Sequence, residues 1–156
     1  MTNIVKFREW TFEVDRTLTE QTYKDYSGGT CGCNNCKNYV AYRNEIFSDE
    51  ILKLFDDLGI DYRKEVEVVT YEKLPGGLHH ISGWFHFKGQ ILTGKDYRVP
   101  LPSSGHTFKL SQISDNFSIG FTKASDLTFF KDETALVQLQ FDSNIPWVID
   151  KSLEGK

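Results

Sequence analysis

The segment from Val66 to Thr93 constrains this chain most. Val66 to Leu74 is rich in β-branched residues, stops at Pro75-Gly76-Gly77, and gives way to His79–Thr93, which alternates with period two. Two such runs around a Pro-Gly turn predict a hairpin with a long second strand. One face of that strand carries Ile81, Gly83, Phe85 and Phe87; the other carries Ser82, Trp84, His86 and Lys88. Gly83 and Gly89 mark bulges or places where another chain segment comes close.

Further strands are predicted at Trp10–Val14, Thr107–Ile113, Phe117–Thr122 and Ala135–Phe141, with Asp115-Asn116 as a tight turn. The high aromatic content, 14% of residues, suits pleated surfaces. Two helices precede the β-rich part. Asn34 to Asn44 reads as a helix with Asn34 as its N-cap and Cys36, Tyr39, Val40 and Arg43 on one face. Ser48 caps the second helix, Asp49 and Glu50 occupy its positive first turn, and Ile51, Leu52, Leu54, Phe55 and Leu58 form its stripe up to Gly59. The expected architecture is one α+β domain over residues 1–156, mainly an antiparallel β-sheet with one or two short helices in the N-terminal half. Asp15 to Tyr26 is too polar to assign, and Ser125 to Glu133 reads as loop or a short helical turn. Thr93 to His106 reads as a long loop with Pro100 and Pro102. The tail around Ile145-Pro146-Trp147-Val148 is expected to pack back onto the sheet.

The cysteine cluster is the most specific local feature. All three cysteines fall in Cys31-Gly32-Cys33-Asn34-Asn35-Cys36. Thiolates from one turn can share a zinc ion, but a structural site needs a fourth ligand. His79 is the first candidate, followed by His80, His86, His106 or an acidic side chain. Cys33 and Cys36 also form a C-x-x-C pair at a helix start, which is a redox pattern, although the βαβ setting of a thioredoxin-like domain is missing. The simplest alternative is that the cysteines only pack the helix start.

A second candidate is the Trp84/His86 face as a ligand platform. The loop carrying Tyr97, Arg98 and His106 is its expected lid. No G-x-G-x-x-G, P-loop, G-x-S-x-G or H-E-x-x-H pattern occurs, and no catalytic residue is assigned. A formal net charge of -4 without a basic stripe argues against nucleic acid as a partner. Met1–Trp10 lacks a signal-peptide pattern, no stretch suits a membrane span, and the clustered cysteines fit a reducing cytoplasm.

The segment Cys31-Gly32-Cys33-Asn34-Asn35-Cys36-Lys37-Asn38-Tyr39 resembles a group of small bacterial proteins of uncharacterised function that share C-x-C-x-x-C-x-N-aromatic. The likeness extends through Leu58-Gly59-Ile60-Asp61, Gly83-Trp84-Phe85-His86-Phe87 and the terminal Pro146-Trp147-Val148. It implies a bacterial intracellular origin and brings no activity. The leading expectation is a non-enzymatic interaction module with a protein partner. A zinc-binding protein using Cys31, Cys33, Cys36 and His79 comes second, and a small-molecule binder or enzyme using Trp84, His86 and His106 third.

Overall fold

The computed structural model describes residues 2–26, 32–123 and 127–155. Among the described residues, nine strands and three α-helices follow the order β1 (Asn3–Phe7), β2 (Trp10–Val14), α1 (Arg16–Asp25), α2 (Asn34–Ile46), α3 (Asp49–Leu58), β3 (Glu67–Lys73), β4 (His79–Thr93), β5 (Arg98–Pro100), β6 (His106–Phe108), β7 (Ser111–Ser114), β8 (Phe117–Thr122) and β9 (Leu136–Ile145). The fold is α+β. A seven-stranded sheet runs in the order β1-β2-β4-β9-β8-β7, with β3 also on β4, and β5–β6 form a separate ribbon. Every pairing is antiparallel. None of the described helices is long and apolar enough to cross a membrane.

The predicted hairpin and long strand are present, and β4 organises the molecule. One edge pairs with β9 from His79 to Lys88. The other edge is divided: β3 takes His79 to Trp84, and β2 takes Gly89 to Thr93. Between them the backbone of residues 86–88 has no strand beside it, and α1 fills the gap with side chains. The Tyr23 hydroxyl donates to the His86 carbonyl at 2.8 Å and accepts from the His86 N–H at 3.1 Å. The Lys88 N–H donates to Thr19 Oγ1 at 3.0 Å, and the Asp15 N–H donates to the Lys88 carbonyl at 2.9 Å. Buried peptide groups need partners, and two polar helical residues supply them here. α1 therefore eluded the sequence reading for a physical reason: its inward face is Thr19 and Tyr23, not an aliphatic stripe. Asp15 caps it by accepting from Leu18 N–H.

The core lies on the apolar face of the sheet. Phe85, Phe87, Leu139, Phe141, Ile119 and Phe121 are fully buried there, beneath α2 and α3. Phe47 joins the layers, its ring centroid 5.0 Å from Phe55, 5.2 Å from Phe141 and 6.0 Å from Phe117. Each fully buried ring contributes about 1.5–3 kcal/mol of transfer free energy. The sheet curls strongly: the rings of Trp10 on β2 and Phe121 on β8 meet at 4.9 Å although β4 and β9 lie between their strands. Gly83 permits one close contact in this core, because a Cβ there would sit 2.8 Å from Phe141 Cε1.

Some boundaries differ from the sequence reading. β1 adds a strand, paired with β2 through a two-residue turn. Thr107–Ile113, expected as one strand, is divided between β6 and β7. The expected loop over 93–106 contains β5 and the first residue of β6. β9 runs on to Ile145. Ser48 caps α3 and Gly59 ends it in the left-handed region (φ +84°), as expected.

Candidate functional site

The second face of β4 and β9 carries a buried polar row. Cross-strand register sets Ser82 opposite Asp142, Trp84 opposite Gln140, His86 opposite Gln138 and Lys88 opposite Leu136. A water-facing row of this kind would be exposed, yet His86 and Gln138 are fully buried and Ser82 is 1% exposed. The cover comes from Tyr97, which is itself 1% exposed and precedes the β5–β6 ribbon. The side chains form one directed hydrogen-bond chain. The Gln138 amide donates to Tyr97 Oη at 2.9 Å, Tyr97 donates to Gln140 Oε1 at 3.0 Å, and the Gln140 amide donates to Ser82 Oγ at 2.9 Å. Ser82 donates to the Phe141 carbonyl at 3.2 Å, and His86 Nε2 lies 2.9 Å from Gln138 Oε1. With the Gln138 carbonyl as acceptor, His86 Nε2 carries the proton.

Trp84 and His86 thus share a face, as the alternation requires, but they do not form an open platform. Trp84 is half-buried and donates its indole N–H to the Leu127 carbonyl at 3.1 Å. His106 stands exposed on β6, paired with Pro100. Tyr97, not His106, brings the ribbon onto the polar row. Arg98 lies over the Phe108 ring at 5.3 Å, and Phe108 packs edge-on to Tyr97 at 5.3 Å.

A strap over residues 127–134 covers the far end of the row. Lys88 is nearly buried; its ammonium donates to the carbonyls of Asp132 and Thr134 and lies 3.4 Å from the Asp132 carboxylate. Thr134 bonds hold the Asp132 carboxyl below its ordinary range, with Lys88 adding to them. Phe130 reaches the His86 ring at 6.4 Å, and Phe129 stacks on Tyr26 at 4.0 Å and meets Tyr23 edge-on at 5.0 Å. Between strap and α1 runs a groove of about 410 Å³, lined by Leu18, Thr22, Tyr26, Phe129 and Phe130 with Lys88 among its walls. Leu18 at its border is 44% exposed, and Leu127 on the strap is 66% exposed.

The cysteine segment occupies a different part of the fold. Cys31 lies outside the described residues. Cys33, not Asn34, is the N-cap of α2, because its sulfur accepts the Cys36 N–H at 3.4 Å; Cys33 is exposed and Cys36 is 6% exposed. His79 is engaged elsewhere: its Nε2 lies 2.6 Å from Glu154 Oε2, and its ring packs on Trp147 at 5.4 Å. Among the described residues no group of three His, Cys, Asp or Glu side chains is placed to hold a metal ion.

The remaining conspicuous residues of the segment hold the C-terminal tail. Asn38 is 2% exposed; its amide donates to the Pro146 carbonyl at 3.1 Å and its carbonyl accepts the Val148 N–H at 2.7 Å. Tyr39 places its hydroxyl 3.4 Å from Glu65, whose carboxylate also pairs with Arg43 at 3.2 Å. Burial, then the Glu65 charge, raises the Tyr39 phenol well above its usual range. The two sequence segments singled out above, C-x-C-x-x-C-x-N-aromatic and Pro-Trp-Val, are therefore in direct contact through Asn38. Sequence reasoning missed Tyr23, Gln138 and Gln140. The glutamines alternate with Val137, Leu139 and Phe141, which is the pattern of a solvated face.

No family model matches the chain, and no curated protein or solved structure matches it.

Proposed function

We propose that this chain is a non-enzymatic interaction module of the bacterial cytoplasm, and that its partner docks in the groove between α1 and the 127–134 strap. The observation that carries this reading is the groove itself: about 410 Å³ of space walled by Tyr26, Phe129 and Phe130, with exposed Leu18 in its lining. Exposed apolar surface around a concave aromatic wall is what a partner's apolar anchor residues need. Asp25 and Asp132 are balanced there by Lys88 and Lys131, and Asp132 is paired with Lys88, so apolar contact carries the docking. The cytoplasmic assignment rests on the clustered thiols.

The competing readings receive less from the geometry. Small-molecule binding over Trp84 and His86 needs space that Tyr97 and its hydrogen bonds fill. Zinc binding by Cys31, Cys33, Cys36 and His79 has two of its donors on one helical turn, while His79 is bound to Glu154.

The test is site-specific photo-crosslinking in cells, with the photoreactive side chain at Leu18 and, as a control, at exposed Tyr71. A discrete adduct from position 18 alone, abolished by Thr22→Arg, is expected. Adducts from both positions, or one that survives Thr22→Arg, would remove the groove as the docking surface.

A further inference from the structure

The start of α2 has the construction of a thiol–disulfide exchange site. Two cysteines three residues apart sit on one helical turn, and their roles differ by exposure. Cys33 is the N-cap, open to solvent; Cys36 is 6% exposed and lies beneath it. Cys33 is the cap in extended conformation and Cys36 the third residue of the helix, so the two face each other across its first turn. The Cys33 sulfur already lies over the turn, 3.4 Å from the Cys36 backbone nitrogen. Cys33 tops a helix of 13 residues, whose unpaired N–H groups and dipole favour negative charge on sulfur.

We propose that Cys33 and Cys36 form a redox-active dithiol that exchanges with disulfides. The Cys33 thiolate attacks one sulfur of a disulfide RSSR, the S–S bond breaks, and RS⁻ leaves and takes a proton. Cys36 releases its proton to water and attacks the Cys33 sulfur of the mixed disulfide, expelling the second RS⁻. The pair loses two electrons, the disulfide RSSR gains them as two thiols, and a Cys33–Cys36 bond remains. Exposure makes Cys33 the attacking thiol and burial makes Cys36 the resolving one, because an outside disulfide reaches only the former. This uses neither the groove nor its partner, so the two proposals stand or fall separately. The missing βαβ setting is no obstacle, since exchange needs the helix start and the two sulfurs, not a particular sheet.

Cys31, two residues upstream, is the competitor that the experiment must separate. The full chain, wild type and Cys31→Ser, is equilibrated in glutathione buffers from fully reducing to fully oxidising, acid-quenched, alkylated and mapped by mass spectrometry. The expected result is loss of two hydrogens per chain in both proteins, with the bond mapped to Cys33–Cys36. Cys36→Ser should stop at a glutathione adduct on Cys33, and reduced wild type should alkylate at Cys33 at least about tenfold faster than at Cys36. Circular dichroism of each variant confirms that it is folded. Thiols that stay reduced across the range, a bond mapped to Cys31–Cys33, or stoichiometric zinc in protein as isolated would each overturn the proposal.

Discussion

Replacing Tyr23 with Phe tests the account of how β4 is supported. The substitution removes one oxygen and leaves the ring, which keeps its edge contacts with Phe129 at 5.0 Å and Phe130 at 6.0 Å. That oxygen serves both the N–H and the carbonyl of His86, a residue with no solvent exposure. Two hydrogen bonds of about 1 kcal/mol each disappear, and two buried peptide groups lose a partner; allowing for partial relaxation, the sum is about 2–4 kcal/mol. That is a large share of the roughly 5–15 kcal/mol by which domains are stable. With a urea slope of about 2 kcal/mol per M, the unfolding midpoint should fall by about 1–2 M with the slope unchanged. Amide exchange should accelerate most at residues 86–88. Burial holds the Tyr23 phenol far above the ordinary tyrosine range, so the hydroxyl remains a donor through alkaline pH and the difference should persist there. Thr19→Val, which takes the partner from Lys88 N–H, is the companion variant. The double variant should cost less than the sum of the two, because both act through the docking of α1. A midpoint shift below about 0.3 M for Tyr23→Phe would show that β4 does not depend on α1 for its missing neighbour.

Three further outcomes follow from particular contacts. The Glu154 carboxyl is held down at about 2, chiefly by the bond with His79 and then by Lys151, so its hold on the tail is complete above its ordinary 4.5 and is lost as pH falls from there towards 2. Protection of the Ser152 to Glu154 amides, taken against the intrinsic exchange rate at each pH, should fall through that window, and Glu154→Gln should show the lowered protection already at neutral pH; parallel profiles for the two proteins would exclude the mechanism. Asn38→Leu should cost about 2–3 kcal/mol and free residues 146–148 to proteolysis, while Asn38→Asp, which keeps the acceptor for Val148 N–H, should lose less. Gly94→Ala should destabilise by about 2–4 kcal/mol in thermal melts, because its φ of +102° disfavours a side chain and its Cβ would meet Trp10 Cδ1 at 2.3 Å.

The elements read correctly from sequence are those whose local signals agree with their final surroundings. In α3 the Ser48 cap, the acidic first turn, the stripe and Gly59 all specify one helix, and the core accepts that stripe unchanged. The hairpin of β3 and β4 is specified by Pro75-Gly76-Gly77 and the period-two runs beside it. α1 was invisible because its inward residues are chosen for hydrogen bonding to a strand edge, a requirement created only when β2 and β3 divide that edge between them. No period in residues 15–26 records a gap in a sheet formed some sixty residues later. The β5–β6 ribbon escaped notice for a related reason: three-residue strands on either side of Leu101 to Gly105 carry too little alternation to register.

The same contrast explains why the candidate sites were partly legible. The helix from Asn34 onward was legible locally, but which sulfur is exposed and which is buried depends on the packing around the helix start, and no local pattern records that. The Trp84/His86 reading needed the cover over the face, and alternation fixes the side a residue faces without saying what lies above it. Gln138 and Gln140 look like solvent-facing residues because nothing local marks Tyr97 as the group that will sit on them. Once it does, its hydroxyl bridges two buried amides, accepting from Gln138 and donating to Gln140. That arrangement gives the second face of the sheet a stabilising role and moves the accessible apolar surface sideways, to the groove between the strap and α1. α1 then does two things with adjacent faces: Thr19 and Tyr23 complete β4, while Leu18 and Thr22 line the groove. A partner that pulls on the groove also loads the backbone bonds of residues 86–88, so binding there should protect those amides from exchange without touching them.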